Sequence, residues 1–264
     1  MRQKLFPLLT ISALSLAFAL SAHASVVPPK KGRKPASLPS LEEVRVQLGQ
    51  FSRASISGQD LLLDNRQTLE GNVTFSLRCG ANADGPFIDY GGGRVASGRL
   101  EVTAPGGFLR VDGKLYRQRL TVLARGNSCT VINTVSLEKY LAGLINKEMV
   151  PSWPIEALKA QAVAARTYAL YQAQQNHGKD YDLDSSVLDQ VYDGAASETP
   201  RSTSVVDATK GEVLAFANQP LKAYFHANCG GMTEVPVTVW GSEDQAFRPV
   251  VCPYHQRKRD RTRW

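Results

Sequence analysis

An α+β fold is predicted for this chain, with a strand-rich subdomain (residues 41–133) packed on a mixed helix and strand domain (134–256). Three observations carry that prediction. Short segments of alternating apolar and polar residues, separated by glycine turns, fill the first region. At Ser136 the apolar period changes to that of a helix, and a second strongly helical stretch follows. Strand-like runs then return from Glu212 onward.

In the first region Val44–Leu48 and Val73–Leu77 alternate, as do Leu100–Val102, Phe108–Val111, Tyr116–Val122 and Cys129–Ile132. Gly91-Gly92-Gly93, Pro105-Gly106-Gly107 and Asp112-Gly113-Lys114 punctuate them. Connections this short favour hairpins in a small antiparallel sheet or barrel.

Leu137, Tyr140, Leu141, Leu144 and Glu148 then share one helical face, with Ser136 in the N-cap position. A glutamate on an apolar stripe is expected to be partly buried, which raises its pKa. The competing reading is a helix-terminal glutamate in water. After a Pro-Ser-Trp-Pro turn, the second helix begins near Trp153 or Pro154 and ends near Asn176-His177-Gly178. Its alanines favour helix and leave a flat surface. Lys159 and Arg166 lie on one face of it, as a cationic stripe along a groove or as a solvated face. Beyond a polar loop, strands are expected at Glu212–Phe216 and Leu221–His226, followed by a turn at Gly230-Gly231. Adjacent glycines there imply positive φ or close backbone approach.

Residues 1–24 read as an export signal: Arg2 and Lys4, an apolar run from Leu5 to Leu20, and the small-x-small site Ala22-His23-Ala24. A retained anchor is the alternative, although the run is short for a membrane span and no later stretch approaches one. Residues 25–40 read as a disordered basic tether, and 257–264 as a basic tail. The net charge of +7 resides in these ends, and the region between is mildly acidic. That argues against a nucleic-acid partner and for export to the periplasm or cell envelope. In an oxidising compartment four cysteines point to disulfides. Cys79 with Cys129 falls within the strand-rich half, and Cys229 with Cys252 joins the glycine turn to the tail. For the second pair zinc competes, because His226, Cys229, Cys252 and His255 have the spacing of a four-ligand site. The compartment favours the disulfide.

The segments SLEKYLAGLINKEM, WPIEALKAQAVAARTYAL, DQVYDG and TKGEVLAFANQPLKAYFHANCGGMTE resemble the SpoIID/LytB family, named for a sporulation protein and an amidase enhancer. The resemblance covers most of residues 41–256. It implies a peptidoglycan lytic transglycosylase that cleaves between N-acetylmuramic acid and N-acetylglucosamine and leaves a 1,6-anhydro product, in some members on glycan stripped of stem peptides. It implies that Glu148 is the general acid/base, that Lys159 and Arg166 contact substrate, and that Gln190, Tyr192, His226, Gly230 and Gly231 line the groove. Both cations are expected to stand off from Glu148, because a close positive charge would lower its pKa. No cofactor is required for this chemistry. Some sporulation members carry Cys and His around a metal before the Gln-Val-Tyr triplet; here that stretch is Ser185–Asp189, with Asp189 at the cysteine position, which speaks against zinc in that loop. The implied partners are glycan strands and a cell-wall amidase. The alternative is a non-catalytic, peptidoglycan-binding amidase enhancer or an envelope scaffold. The family pattern often runs beyond the position of Trp264, which raises the expectation of a truncated product.

Overall fold

The computed structural model describes residues 41–226, 228–241 and 245–253, all within a unit spanning Ala36–Trp264. The export signal, the basic tether, the basic tail and His255 lie outside the described residues. The fold is α+β, as the change of period at Ser136 predicts.

Ten strands precede the first helix: β1 (Glu43–Phe51), β2 (Ala54–Leu63), β3 (Gln67–Asn82), β4 (Gly85–Tyr90), β5 (Arg94–Val95), β6 (Arg99–Thr103), β7 (Leu109–Val111), β8 (Lys114–Tyr116), β9 (Arg119–Arg125) and β10 (Ser128–Ser136). With β11 (Leu183–Asp184) they form one sheet of order β11-β1-β10-β9-β6-β2-β3-β4-β5, in which β7 pairs with β2 and β8. Every pairing is antiparallel except the short parallel one between β1 and β11. A disulfide joins Cys79 on β3 to Cys129 on β10, the pairing expected from the sequence. These strands are not neighbours in the ladder. The sheet must therefore coil to bring them together, as twisted sheets do, and its inner face becomes a core that includes Val44, Val46, Ile56, Leu77 and Val131. The bond closes a 50-residue separation. Replacing both cysteines by serine is expected to cost about 2–4 kcal/mol in chemical denaturation, since the cross-link restricts the unfolded chain.

Two departures from the alternating pattern have local causes. The segment Tyr116–Val122, expected as one strand, is broken between β8 and β9. There Gln118 takes a positive φ of 63° and its side chain accepts a hydrogen bond from the Ser136 backbone N–H. The expected strand at Leu221–His226 makes no ladder. In its place is a two-residue hairpin, β12 (Ala215–Phe216) and β13 (Gln219–Pro220), turned by Ala217 and Asn218, both with positive φ. The Leu221 N–H still donates to the Leu214 carbonyl, and beyond it the chain turns tightly, with hydrogen bonds from Ala223 N to Leu221 O and from Tyr224 N to Lys222 O.

The helices are α1 (Leu137–Glu148), α2 (Ile155–Gln175), α3 (Pro200–Ala208) and the short α4 (Pro236–Trp240). Ser136 is the N-cap residue of α1 but makes no side-chain cap bond. Thr199 caps α3 through a reciprocal pair of bonds with Ser202. One apolar core runs from the sheet through α1, α2 and α3, joining Val131 and Val135 of β10 to Tyr140, Leu144, Leu158, Ala165 and Val205. Close approach on α1 depends on Gly143: a Cβ there would meet the Gly194 carbonyl oxygen at 2.7 Å. Among the described residues no helix is long and apolar enough to cross a membrane.

Candidate active site

Glu148 is the last residue of α1, at the end of the stripe that buries Leu137, Tyr140, Leu141 and Leu144. Its position on that stripe turns it inward, and it is half-buried. One carboxylate oxygen accepts a 2.7 Å hydrogen bond from the backbone N–H of Val191. Burial pushes the Glu148 carboxyl above the usual carboxylate range, and the Val191 bond opposes that shift only in part.

The carboxyl opens into a cavity of about 360 Å³. Three pieces of chain build its walls. The loop after β11 supplies Val187, Leu188, Asp189 and Val191; α2 supplies Tyr168; and the segment after β13 supplies Lys222 to Phe225, with Trp240 of α4 beside it. The loop is held by Asp189. Its side chain accepts from the Tyr168 hydroxyl at 2.7 Å, from Gln172 Nε2 at 2.8 Å and from the Asp184 backbone N–H at 2.8 Å. Burial first, and then the bond to Asp189, raises the Tyr168 pKa, so the phenol stays a donor. This clamp ties the loop to α2 and so sets the Val191 N–H against Glu148.

The residues expected around Glu148 are distributed differently. Gln190 and Tyr192 alternate with Asp189 and Val191 along an extended stretch and point the other way, into the core. Gln190 is fully buried, accepts from the Tyr140 hydroxyl at 3.0 Å and donates to the Ala165 carbonyl. The Tyr192 hydroxyl donates to Asn133 Oδ1 at 2.9 Å. Both support the site from behind. His226 is exposed, next to the cavity residue Phe225 but not lining the cavity itself. Gly230 and Gly231 have φ of 61° and 105°, and the turn is closed by Gly230 N donating to Asn228 Oδ1. They too lie off the cavity wall.

Neither expected cation reaches the cavity. Lys159 pairs with Glu156 one turn back on α2, at 2.8 Å. Arg166 is only 2% exposed, because its face of α2 meets α1 and α3. Its guanidinium donates to both oxygens of Glu138 and to the carbonyls of Val206 and Glu212. The pairing is with Glu138 rather than Glu148, so the acid keeps its raised pKa. The cation on the cavity wall is Lys222. Its sequence signal was a lysine set among aromatic residues, Lys222-Ala223-Tyr224-Phe225, which a strand assignment obscured.

Cys229 and Cys252 are half-buried and not joined by a disulfide, which corrects the pairing favoured from the sequence. Their segments are adjacent: Met232 bridges to Val251, and the Cys252 N–H donates to the Gly231 carbonyl at 2.9 Å. Neighbouring backbones alone do not align two Cβ vectors for a disulfide. The fourth residue of the competing zinc set, His255, lies outside the described residues.

Residues 125–216 match the Stage II sporulation protein family, SpoIID. An uncharacterised protein of Brachyspira hyodysenteriae is 37% identical over 132 residues, covering 50% of this chain and 36% of that protein. Stage II sporulation protein D of Bacillus subtilis is 30% identical over 141 residues, covering 48% and 41%. The amidase enhancer of Bacillus subtilis is 37% identical over 102 residues, covering 39% of this chain and 14% of the enhancer. The matched part of the chain thus spans less than half the length of each of these relatives.

Proposed function

From the SpoIID domain that this chain carries over residues 125–216, we propose that it acts on the cell wall as a peptidoglycan lytic transglycosylase, cleaving between N-acetylmuramic acid and N-acetylglucosamine. The observation that supports this reading is a single half-buried carboxyl of raised pKa, Glu148, opening into a cavity large enough for a sugar ring. One carboxyl suffices for this reaction. Protonated Glu148 gives its proton to the glycosidic oxygen as the C1–O bond breaks. The resulting carboxylate takes the proton of the muramyl C6 hydroxyl as that oxygen bonds to C1, which closes the 1,6-anhydro ring and restores the acid. A hydrolytic glycosidase needs a second carboxyl for water or a covalent intermediate. The Asp189 carboxylate also faces the cavity, but its oxygens are engaged by Tyr168, Gln172 and the Asp184 backbone.

Incubation of purified protein with amidase-treated sacculi and with intact sacculi, followed by mass spectrometry of the soluble fragments, tests the reading. Anhydro-muramyl ends are expected; their absence from both substrates would overturn it. The similarity to an amidase enhancer favours, as second reading, a non-catalytic module at the cell surface. Stimulation of a cell-wall amidase without anhydro products would support that instead.

The pH dependence has a defined sign. Cleavage begins from protonated Glu148, so activity is expected to fall as pH rises through the raised carboxyl pKa. Stability follows the same group. The folded state binds this proton more tightly than the unfolded chain does, a contribution present in full below the ordinary carboxylate pKa and lost as pH rises through the folded value. Glu148→Gln is therefore expected to melt higher than the parent protein at pH 7, with a smaller difference at pH 4. Thermal denaturation at the two pH values checks it.

A further inference from the structure

We infer that Lys222 and the Tyr224–Trp240 ring pair form the subsite that selects a pyranose bearing a carboxylate substituent, as a muramyl residue does. This rests on the glycan-cleaving reading above and names the residues that give it specificity.

Lys222 is half-buried on the wall of the Glu148 cavity. Its Nζ stands 5.1 Å from the Tyr224 ring centroid and 6.0 Å from that of Tyr171. Two ring faces orient an ammonium without neutralising it. Among the described residues Lys222 makes no ion pair, whereas Lys159 and Arg166 are taken up by Glu156 and Glu138. Of these three cations, Lys222 is the one whose charge is left for a ligand in this cavity.

The ring pair supplies the second element. Trp240 stacks on Tyr224 with centroids 4.2 Å apart and planes inclined by 12°. Tyr224 is backed in turn by Phe247 at 5.7 Å. Trp240 is nevertheless 58% exposed, so the stack covers one indole face and leaves the other open. That face is a rigid apolar plate, of the shape that the C–H side of a pyranose covers. Elsewhere on the cavity wall Val187 and Leu188 are 84% and 81% exposed, apolar area that a bound sugar would take from water. A plate beside an ammonium fits a sugar with an acidic arm, its ring on Trp240 and its carboxylate on Lys222. An uncharged N-acetylglucosamine unit satisfies the plate alone.

The test reads binding without turnover, in the full chain carrying Glu148→Gln, by calorimetry. The probes are a GlcNAc–MurNAc tetrasaccharide and chitotetraose, which differ by the 3-O-lactyl ethers that carry the carboxylates. The muramyl probe is expected to bind about tenfold more tightly, a charge-assisted contact being of that size. Adding Lys222→Gln removes the preference and leaves chitotetraose affinity unchanged, and Lys222→Arg restores it. Adding Trp240→Ala weakens both probes together, by about three- to tenfold. Equal affinity for the two probes in Glu148→Gln, or a preference that survives Lys222→Gln, overturns the inference. The two failures are separable. Sacculi that yield no anhydro ends while Lys222→Gln still abolishes the preference would sink the catalytic reading and keep the subsite. Anhydro ends with a preference indifferent to Lys222 would do the reverse.

Discussion

Glu148→Gln is expected to lower the release of anhydro-muramyl fragments by at least about a hundredfold, the scale of a lost general acid/base. The substitution isolates the proton. Glutamine keeps the length and shape of the side chain, and its carbonyl oxygen can still accept from the Val191 N–H that now bonds Glu148 at 2.7 Å. What it cannot do is deliver a proton to the leaving oxygen or take one back from the C6 hydroxyl. The loss should therefore fall on kcat with KM little changed. The fold should be intact and, at neutral pH, somewhat more stable, because a half-buried charge has been removed. Undiminished product yield in a folded Glu148→Gln protein would sink the assignment.

The ease with which Glu148 is found, and the difficulty of finding its neighbours, have one physical origin. Helical period is a local property, so an acid on the stripe of Leu137, Tyr140, Leu141 and Leu144 is visible in the sequence and half-buried in the structure. Along the loop that faces it, the side chains alternate but no regular element fixes the parity. The sequence therefore could not say whether Gln190 and Tyr192, or Asp189 and Val191, meet the cavity. The clamp on Asp189, made by Tyr168, Gln172 and Asp184, decides it.

The sheet shows the same division. β6 and β10 keep their alternation or their apolar run and can be read directly, as can β1 as far as Gln47, beyond which a bulge before Gly49 ends the pattern. β2 could not be, because a bulge at Asp60, with φ of 50°, moves the buried positions from Ala54 and Ile56 to Leu61 and Leu63. The parity changes in mid-strand, and no period-two template fits the whole. The segment carrying Lys222 and Tyr224 has no partner strand and turns tightly between Leu221 and Tyr224, so strand propensity alone did not find its place on the cavity wall.

Arg166 is where a sequence-level role and a structural one diverge most, and a substitution there separates them. Arg166→Ala is expected to destabilise the protein by about 3–5 kcal/mol, the cost of removing one partner from a buried ion pair. The guanidinium binds three parts of the fold at once. It grips Glu138 in the first turn of α1 at 3.1 and 2.8 Å, the Val206 carbonyl near the end of α3 at 3.2 Å, and the Glu212 carbonyl beyond it at 3.2 Å. A cation at that end of α3 also meets the negative end of the helix dipole. Removing it leaves buried carbonyls unpaired and the Glu138 carboxylate without its counter-ion. Arg166→Lys keeps the charge but not the planar fork, and should recover only part of the loss. Glu138→Gln should cost less than Arg166→Ala, since the Glu138 side chain is 23% exposed and can be partly rehydrated. Because the two residues share the pair, the double variant should be less destabilised than the sum of the single ones. The decisive comparison is activity per folded molecule in Arg166→Lys, measured below its melting transition. A positioning and stabilising Arg166 leaves KM near that of the parent protein while denaturant midpoints fall. A substrate-contacting Arg166, the role suggested by its place seven residues from Lys159 on one helix face, would raise KM with stability unchanged, and that outcome would return it to the groove.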